Sequence, residues 1–600
     1  MQPTTAILAK IEKNSLANKE EIFTKLYRYL LRPDLYHIAY KNLYSNSGAA
    51  TKGVNNDTAD GFSEAKIAKI IKSLTDETYQ PSPVRRTHIE KQNGKMRPLG
   101  IPTFTDKLVQ EVLRMVLEAV YEPVFSDNSH GFRPNRSCHT ALSSLKKNFN
   151  GARWFVEGDI KGCFDNIDHA VLVGLLNKKV KDARIIKLIY KFLKAGYMEN
   201  WQYHNTYSGT PQGGIISPLL ANVYLHELDK FVMEMKTEYD KPRDRKETIE
   251  HKDLRTKVAK IRRHIKKSEG VEKQQLLKEL KETRAIMLKT PHTPQTDKVI
   301  KYIRYADDFL ISVKGSREDC QWIKSELTEF ISNTLKMELS DEKTLITHSS
   351  EFARFLGYDI NVRRSNLIKR GGSGGKTNVT KRTLNNHTQL AIPFDDKIHK
   401  FIFSKGIAKQ KQDGTLFPVH RNSLLKLTDL EIVTAYNSEL RGICNYYGMA
   451  SNFHKFDYFA YLMKYSCLKT LAAKHKSSIS KIINKFKDGK GSWGVPYENK
   501  NGKKRCYFAN YADCKGVTNL SDIIKDITKM HNQSVTTLEM RLKAKTCELC
   551  GTEESDHYEI HHVNKLKNLR GKQQWEIVMI AKKRKTLVVC RKCHKNIHNQ

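Results

Sequence analysis

The segment VIKYIRYADDFLISV, Val299 to Val313, has two runs rich in apolar and β-branched residues that meet at the pair Asp307-Asp308. This pattern predicts two β-strands joined by a tight turn at the aspartates. Upstream, RWFVEGDIKGCFDNIDH, Arg153 to His169, predicts a further strand that ends at Asp159. Hairpins among alternating strands and helices predict an antiparallel sheet in a multidomain α+β fold.

These three aspartates are candidate metal ligands. If the strands bring Asp159, Asp307 and Asp308 together, divalent cations are needed to keep three clustered carboxylates ionised. That is the requirement of two-metal phosphoryl transfer, in which the ions activate an attacking hydroxyl and stabilise a leaving pyrophosphate. Asp307 is the firmer ligand, because neighbouring strand residues point to opposite faces and Asp308 depends on distortion at the turn. The alternative is an ordinary Asp-Asp turn.

Two further segments suit a nucleotide. The loop Pro211-Gln212-Gly213-Gly214 precedes a predicted helix, and its glycines permit close approach of a base or sugar to which Gln212 can hydrogen-bond. Lys91 and Arg97 flank the turn of a hairpin predicted around residues 93–94. An arginine fork and a lysine point charge suit a triphosphate, although two cations on an exposed hairpin are also ordinary surface residues.

The charge of the chain indicates its class of partner. The 600 residues include 104 Lys and Arg against 65 Asp and Glu, which gives a net charge of +39. This surplus predicts a polyanionic partner, with nucleic acid ahead of an anionic membrane surface. No stretch approaches the roughly 18 uninterrupted apolar residues of a membrane span, and the first residues lack the apolar region of a signal peptide. A cytoplasmic protein is therefore expected.

Composition also divides the chain, and at roughly 150 residues per domain its length predicts about four units. Alternating β-rich and helical segments run from residue 154 to 359, interrupted by charged helices over about 239–289. Residues 361–388 have the composition of a flexible basic linker. Helical spacing returns over residues 428–486, and a basic stretch over about 489–530 leads to a Cys/His-rich tail.

The tail predicts two metal sites. Four of the 11 cysteines form two C-x-x-C pairs, Cys547 with Cys550 and Cys590 with Cys593, which is typical of a tetrahedral structural zinc ion and reduced thiols. A second cluster remains once the thiolates are used. It consists of two histidines on a β-rich run and two that lie one helical turn apart: His561, His562, His594 and His598.

The order of the motifs resembles the reverse transcriptases encoded by group II introns, of the lactococcal type. The resemblance covers the whole chain through the blocks VRRTHIEKQNGKMRPLGIP, YEPVFSDNSHGFRPNRSCHTAL, WFVEGDIKGCFDNIDH, GTPQGGIISPLLAN, YIRYADDFLISV, MELSDEKTLITHSS and RFLGYDI. It implies a right-hand polymerase with an added nuclease. Fingers and palm would occupy residues 1–360, a basic linker 361–388, a thumb or maturase domain 389–488, a DNA-binding region 489–540 and an HNH endonuclease 541–600.

The resemblance also implies roles in polymerisation. Asp159 and Asp307 match the metal-binding acids, and Asp308 is the paired acid of the motif. Phe164 falls where the family places an aromatic ring that excludes ribonucleotides, and an ordinary core phenylalanine is the alternative. Lys343 falls where a lysine near the departing pyrophosphate would act as general acid, unless it is a surface lysine. Three positions match nucleotide contacts: Lys91, Arg97 and Gln212.

For the thumb and the nuclease, the resemblance implies RNA contacts and a ββα metal site. RNA phosphates would bind to Arg441, Lys464, Lys469 and Lys474. In the nuclease, His561, His594 and His598 would hold a divalent ion while His562 activates water. A purely structural DNA-binding finger is the alternative. The chain departs from the family at Thr586, where a middle Asn is usual, and a threonine hydroxyl can hydrogen-bond a loop carbonyl less completely than an asparagine amide.

The implied cofactors are Mg²⁺ at the polymerase site, structural Zn²⁺ in the tail, and Mg²⁺ or a similar ion at the nuclease. The implied partners are intron RNA, double-stranded target DNA and deoxynucleoside triphosphates; a homodimer stays open, and a bacterial protein would join the nucleoid when DNA-bound. The main rival is a maturase that only assists RNA splicing, against which the intact acids argue. A retron-like or diversity-generating enzyme is disfavoured by the thumb and HNH tail.

Overall fold

The computed structural model describes residues 3–46, 48–90, 94, 96–206, 208–210, 213–241, 246–292, 297–365, 367–373, 376–382, 385–489, 491–499, 502–514 and 537–599. Within these residues helices and strands are mixed along the chain, so the predicted α+β class is confirmed. No helix in these ranges has both the length and the apolar character needed to cross a bilayer.

The N-terminal region is mainly helical and carries one hairpin. Its elements are α1 (Thr4–Ala17), α2 (Tyr27–Leu30), α3 (Pro33–Tyr44), α4 (Glu64–Thr75), β1 (Val84–Glu90), β2 (Met96–Ile101), α5 (Phe104–Tyr121) and α6 (Cys138–Asn148). Helix α5 begins after Thr103, whose hydroxyl accepts a hydrogen bond from the Asp106 N–H, and is buried along most of its length. Strands β1 and β2 pair antiparallel, which confirms the predicted hairpin.

The central region contains the sheet on which the acidic motifs lie. Its elements are β3 (Trp154–Asp159), α7 (His169–Lys179), α8 (Ala183–Lys194), β4 (Tyr197–Glu199), β5 (Gln202–His204), α9 (Ser217–Tyr239), α10 (Ile249–Ile265), α11 (Gly270–Lys289), β6 (Val299–Tyr305), β7 (Asp308–Lys314), α12 (Arg317–Asn333), β8 (Ile346–His348), β9 (Ala353–Phe355) and β10 (Tyr358–Val362). The central sheet has the order β6-β7-β3-β8 with antiparallel pairs, as predicted.

The charged insertion is confirmed as two helices, α10 and α11. Their buried residues in the described part of the chain are Val258, Ile261 and Thr283. Such a sparse apolar stripe can cover only a narrow contact, which explains why the remaining positions tolerate so many charges.

The third region begins in the stretch that the sequence predicts as a linker. It contains β11 (Ile368–Ser373), β12 (Lys376–Arg382), β13 (Thr388–Ala391), α13 (His399–Ser404), β14 (Ala408–Gln410), β15 (Leu416–Pro418), α14 (Asp429–Tyr446), α15 (Phe456–Lys474), α16 (Ile479–Phe486), β16 (Gly494–Asn499) and β17 (Gly502–Tyr507). The structure differs from a flexible linker because β11 and β12 form a hairpin. Pairing of β10 with β13 holds both ends of this hairpin together.

Helices α14, α15 and α16 confirm the helical spacing predicted over residues 428–486. Tyr436, Leu440 and Phe459 are fully buried between them, as expected of a packed helical core. The C-terminal region follows with α17 (Thr537–Lys543), β18 (Tyr558–His562), α18 (Gln574–Lys582), β19 (Thr586–Cys590) and α19 (Arg591–Asn599).

Two hydrophobic cores meet on opposite faces of the central sheet. Val156 of β3 belongs to a core shared with the N-terminal helices, whereas its neighbour Phe155 belongs to a core shared with the helices α14 to α16. The first core extends into the C-terminal region through Ile560 and Met579. The C-terminal region is therefore packed onto the N-terminal region, although more than 400 residues separate them in sequence.

Candidate active sites

The turn between β6 and β7 brings the three predicted aspartates to one end of the central sheet. Asp308 is directly opposite Asp159 in the pairing of β7 with β3, and Asp307 lies in the turn. Ala306 gives the turn its shape with a left-handed φ of 57°. The clustering that the sequence analysis required for metal binding is therefore present.

Lys343 reaches this cluster from the segment before β8. The Ser340 N–H donates to the Asp159 carbonyl oxygen at 2.8 Å, and the Lys343 N–H donates to the Ser340 carbonyl oxygen at 3.1 Å. Lys343 Nζ consequently lies 2.7 Å from Asp159 Oδ2, while 64% of the lysine side chain remains exposed. The structure thus places an accessible ammonium group beside the acids.

The electrostatics of the cluster favour a bound cation. Burial, together with the neighbouring Asp159 and Asp307, raises the pKa of Asp308 to about 7. Burial also raises the pKa of Asp307, against which the positive charges of Lys343 and Arg97 act. A divalent ion with oxygen ligands would favour the ionised carboxylates, so the donor set fits Mg²⁺.

A buried ion pair supports the turn between β6 and β7. Arg304 and Asp229 are both fully buried, with Nη2 2.6 Å from Oδ2. Arg304 Nη1 also donates to the Ala306 carbonyl oxygen at 2.8 Å, so the ion pair holds the backbone between the two strands. Gly131 packs against the same backbone, since a Cβ there would lie 2.2 Å from the Ala306 nitrogen. The turn is therefore held from two sides.

Phe164 lies directly after β3 with its side chain half-buried. Its ring meets the ring of Phe132 edge-on at a centroid distance of 6.0 Å, and its carbonyl oxygen accepts a hydrogen bond from the Thr210 N–H at 2.7 Å. Gly213 has a φ of 115°, and a Cβ there would lie 2.3 Å from the Gly100 carbonyl oxygen of β2. Thr210 therefore contacts Phe164, and Gly213 contacts the hairpin β1–β2.

Of the three predicted nucleotide contacts, Arg97 lies in the described part of the chain. Arg97 lies exposed on β2, within electrostatic range of Asp307. Lys91 and Gln212 lie outside the described residues. Arg97 is therefore the predicted nucleotide contact that the described residues place near the acids.

The four cysteines of the tail converge as predicted. The sulfur atoms of Cys547, Cys550, Cys590 and Cys593 all lie within 4.8 Å of one another. Cys550 Sγ is 3.9 Å from Cys590 Sγ, close to the edge of about 3.8 Å expected when four thiolates surround Zn²⁺ at about 2.3 Å. The Cys550 N–H also donates to Cys547 Sγ. The donor set therefore fits a tetrahedral structural zinc ion.

Three of the four histidines form a second cluster, which includes an acid that the sequence analysis did not identify. Asp60, from the loop before α4, joins His561, His594 and His598, and their ligand atoms lie within 4.8 Å of one another. Burial would raise the pKa of Asp60, but contacts with His561 and His594 hold it well below its usual value. Burial alone would lower the pKa of His594. Its contacts with Asp60 and Glu559 outweigh burial and raise this pKa to about 9.

His562, the predicted base, is 9% exposed and is not one of the residues of this cluster. Its Nε2 lies 3.1 Å from the Tyr44 carbonyl oxygen, so Nε2–H is the donor and Nδ1 keeps the lone pair. Burial lowers the pKa of His562, which favours the neutral ring that a base requires. Opposite it on β19, Thr586 accepts hydrogen bonds from Arg541 at its hydroxyl (3.3 Å) and carbonyl (2.9 Å) oxygens.

The predicted RNA-binding cations of the helical unit fall into two groups. Arg441 and Lys464 are exposed. Lys469 Nζ donates to the Pro418 carbonyl oxygen at 2.7 Å, and Lys474 Nζ forms a 2.7 Å ion pair with Asp429. Lys469 and Lys474 therefore already have partners within the protein, and binding of an RNA phosphate would have to replace or share these contacts.

Three contributors were missed by sequence reasoning: Asp60, Asp229 and Arg304. Arg304 could have been identified from the sequence, because it is a charged residue on the face of β6 that also carries the buried Ile300 and Tyr302. Asp60 could not, since it lies 501 positions before His561 in a loop without metal-ligand spacing.

Comparison with sequence profiles of known families divides the chain in the same order. Residues 89–241 match reverse transcriptase (RNA-dependent DNA polymerase). Residues 385–543 match type II intron maturase, and residues 547–594 match the AI2M/AI1M-like HNH endonuclease.

Whole-chain relatives agree with these matches. The group II intron-encoded protein LtrA of Lactococcus lactis subsp. cremoris is 64% identical over 599 residues, which cover 100% of this chain and 99% of the relative. An uncharacterized 91 kDa protein in the cob intron of Schizosaccharomyces pombe is 36% identical, covering 95% of this chain and 69% of the relative. The putative COX1/OXI3 intron 2 protein of Saccharomyces cerevisiae is 31% identical, covering 98% and 68%.

Proposed function

The chain belongs to the group II intron-encoded proteins, which are reverse transcriptases with maturase and HNH endonuclease domains, and from this premise we propose how its residues divide the work. The protein is an RNA-directed DNA polymerase, an intron maturase and a DNA endonuclease. We infer that the three activities serve one process, in which the protein helps its intron RNA to splice and then copies it into a cut DNA target.

We propose a right-hand arrangement for the polymerase. Residues 1–360 would be fingers and palm, residues 389–488 the thumb, residues 489–540 the DNA-binding region and residues 541–600 the nuclease, with 361–388 connecting palm and thumb. The central sheet with its acids at one end supports the assignment of a palm. The core that this sheet shares with α14 to α16 supports a thumb packed beside it.

At the polymerase site, Asp159, Asp307 and Asp308 would hold Mg²⁺. When bound, Mg²⁺ supplies an activated primer 3′-hydroxyl and charge stabilisation at the phosphate that is attacked. Lys343 would then donate a proton to the departing pyrophosphate. Its exposed side chain and its position 2.7 Å from Asp159 support this role.

The incoming nucleotide would lie between the hairpin β1–β2 and the loop after Gly209. Arg97, with Lys91, would bind the triphosphate, and Gln212 would contact the base or sugar. Phe164 would exclude a ribose by collision with its 2′-hydroxyl. The packing of the Gly209 loop on Phe164 and of Gly213 on β2 supports a shared pocket.

RNA binding by the thumb would use phosphates more than bases. Arg441 and Lys464 are the stronger candidates because they are exposed, whereas Lys469 and Lys474 would first have to leave their present partners. The net charge of +39 supports binding of intron RNA and target DNA. The bacterial relative supports a cytoplasmic location, at the nucleoid when DNA is bound.

At the nuclease, the four cysteines would hold structural Zn²⁺, and His561, His594 and His598 would hold a second divalent ion. His562 would take a proton from water at Nδ1, while its Nε2–H stays on the Tyr44 carbonyl oxygen. Cleavage of the target strand would supply the primer 3′-hydroxyl. Thr586 would position β19 through its bonds with Arg541 instead of the usual asparagine.

The observation that carries this proposal is the placement of Asp159 opposite Asp308, with Asp307 in the adjoining turn. Primer extension on an RNA template with Mg²⁺ tests it, alongside a splicing assay of the intron RNA. Asp307→Ala should abolish DNA synthesis and leave splicing largely intact. A wild-type protein that assists splicing without extending a primer would favour the rival, a maturase that only binds RNA. Equal loss of both activities in the variant would indicate misfolding or a shared surface.

A further inference from the structure

The nuclease is joined to the N-terminal region by a short stretch of backbone pairing. The Gly61 N–H donates to the Ile560 carbonyl oxygen at 3.0 Å, and the Ile560 N–H donates to the Phe62 carbonyl oxygen at 2.9 Å. Phe62 is 1% exposed and stacks on Tyr40 of α3 at a centroid distance of 4.0 Å. Residues 61–62 therefore pair with the free side of β18 through one antiparallel bridge and are fixed there by the shared core.

This pairing places Asp60 among the nuclease histidines. Asp60 Oδ2 lies 2.6 Å from His598 Nε2 and 3.3 Å from His594 Nε2, and the two imidazole nitrogens are 3.3 Å apart. His561 Nδ1 is 3.2 Å from Asp60 Oδ1. Four ligands about 2.0–2.1 Å from one tetrahedral ion would be about 3.3–3.4 Å apart. The separations from Asp60 Oδ2 to His594 and from His594 to His598 match that edge length, and the His561 separation, measured to the other carboxylate oxygen, is close to it. The 2.6 Å separation between Asp60 and His598 is instead that of a direct hydrogen bond.

His561 provides a second, independent indication of an ion. Its side chain is 6% exposed, and although Nδ1 lies 3.2 Å from Asp60 Oδ1, neither ring nitrogen forms a hydrogen bond of normal geometry with the residues that the structure describes. A buried imidazole without a partner is costly, and a bound cation would satisfy it. The ring is held in place edge-on to Trp575, with centroids 5.0 Å apart.

We propose that Asp60 is the fourth protein ligand of the nuclease ion, and that a DNA phosphate must displace it before cleavage. The inference rests on the nuclease site proposed above. Three histidines leave one tetrahedral position for water or substrate, whereas a fourth protein ligand closes the site. Carboxylate and phosphate are both anionic oxygen ligands, so they compete for that position. Asp60 thus acts as a gate supplied by the polymerase half of the chain.

The other residues of the nuclease site are already held in position while Asp60 occupies the fourth ligand position. The His562 N–H donates to Asp60 Oδ1 at 2.7 Å, and Tyr44 holds the His562 ring through its carbonyl oxygen. Glu559 holds His594 at Nδ1, which leaves Nε2 directed at Asp60. Opening therefore needs the Asp60 carboxylate to leave the ion and the His562 N–H, while the Tyr44 carbonyl oxygen still orients the ring of the base.

Cobalt binding to the full-length protein tests the ligand assignment. With the cysteine site first filled by zinc, Co²⁺ is titrated into wild type and into two variants, and the d–d absorption reports affinity and coordination. Asp60→Asn keeps an acceptor for the His562 N–H but loses the anionic ligand, and Asp60→Ala loses both. Each should bind Co²⁺ about 10–100-fold more weakly, with a fainter band from added water ligands. Unchanged affinity and band would overturn the assignment.

Cleavage at saturating Co²⁺ tests the gate. Both Asp60 variants should cut target DNA about tenfold faster than wild type, as expected if the open form is about one tenth of the wild-type population. An equal or slower rate would overturn the gate. Primer extension should be unchanged in both variants, which verifies that they fold.

Two controls separate this inference from the proposed function. Asp57→Asn removes a nearby carboxylate that pairs with Lys66 and should leave cobalt binding and cleavage unchanged. His598→Ala should remove cobalt binding in any background. If wild type shows no cobalt site that depends on His598, the nuclease ion site fails and this inference with it. If that site exists but tolerates Asp60→Asn, the Asp60 inference alone fails.

Discussion

Arg304 and Asp229 form a fully buried ion pair beside the turn between β6 and β7, with Nη2 2.6 Å from Oδ2 and Nε 2.7 Å from Oδ1. Both partners have further contacts. Tyr302 donates to Asp229, and Arg304 donates to the carbonyl oxygen of Ala306. The pair therefore links α9 to the backbone that presents Asp307.

Loss of one partner should be more harmful than loss of both. Asp229→Asn leaves a buried guanidinium without its counterion, at a cost of about 3–5 kcal/mol. The thermal midpoint of Asp229→Asn should therefore fall below that of the double variant Asp229→Leu/Arg304→Met. Primer extension should be slow in both variants. The double variant lacks the hydrogen bond from Arg304 to the Ala306 carbonyl oxygen, and in the single variant the unpaired guanidinium no longer holds that carbonyl in the same position. A normal rate in the double variant would contradict this role for Arg304. Lys161→Ala, which removes an exposed pair with Glu338, is the control.

Removing the Phe164 ring should relax sugar selection. In Phe164→Ala, the ratio of kcat/KM for a deoxynucleotide over its ribonucleotide should fall by about tenfold or more, because steric selection of one small group is worth roughly 1–3 kcal/mol. Single-nucleotide primer extension measures this ratio. Phe164→Tyr, which keeps the ring, should retain discrimination. An unchanged ratio in Phe164→Ala would favour a purely structural phenylalanine.

Lys343 should act through its proton. Its side-chain hydrogen bond with Asp159 raises its pKa, so the ammonium form persists at neutral and moderately alkaline pH. Lys343→Met should slow single-turnover incorporation about 10²–10⁴-fold, as expected for loss of a general acid. Lys343→Arg keeps the charge but is a poor proton donor, so it should be nearly as slow. A wild-type rate in Lys343→Arg would indicate that only the charge matters.

His562, the proposed base, can be replaced without changing any of the proposed metal ligands. His562→Ala should lower cleavage of target DNA about 10²–10⁴-fold and leave zinc content and DNA affinity unchanged. His557→Ala is the matched control, because His557 is an exposed histidine of the same region whose Nδ1 contacts the Asp556 carbonyl oxygen. Cleavage that persists in His562→Ala would refute its role as base.

The cysteine cluster should be structural. Cys593→Ser should lower the zinc content by about one ion per chain and lower the thermal stability of the C-terminal region, since structural zinc contributes to folding directly. Cys506→Ser replaces a half-buried cysteine outside the cluster and should leave the zinc content unchanged. Elemental analysis and thermal unfolding provide the two readouts. Full zinc content in Cys593→Ser would exclude Cys593 as a ligand.

The amino-acid sequence by itself determined the features that depend on local spacing. Strand alternation around Asp307 and Asp308, the strand that ends at Asp159 and the helical spacing over residues 428–486 all appear as predicted. The two C-x-x-C pairs were sufficient to predict the thiolate cluster, because ligand spacing within each knuckle is fixed by a few residues of backbone. The ordered motifs were sufficient to indicate the family.

Only the tertiary structure decided which distant residues meet. Asp60 reaches His598 across 538 positions, and Asp229 reaches Arg304 from another helix, because shared hydrophobic cores bring their elements together. Periodicity reports which face of an element is buried but not against which partner it packs. The basic composition of residues 361–388 likewise gave no sign of the pairing of β10 with β13. Local spacing thus fixes the elements and many of the candidate ligands, whereas long-range packing decides which residues complete each cluster.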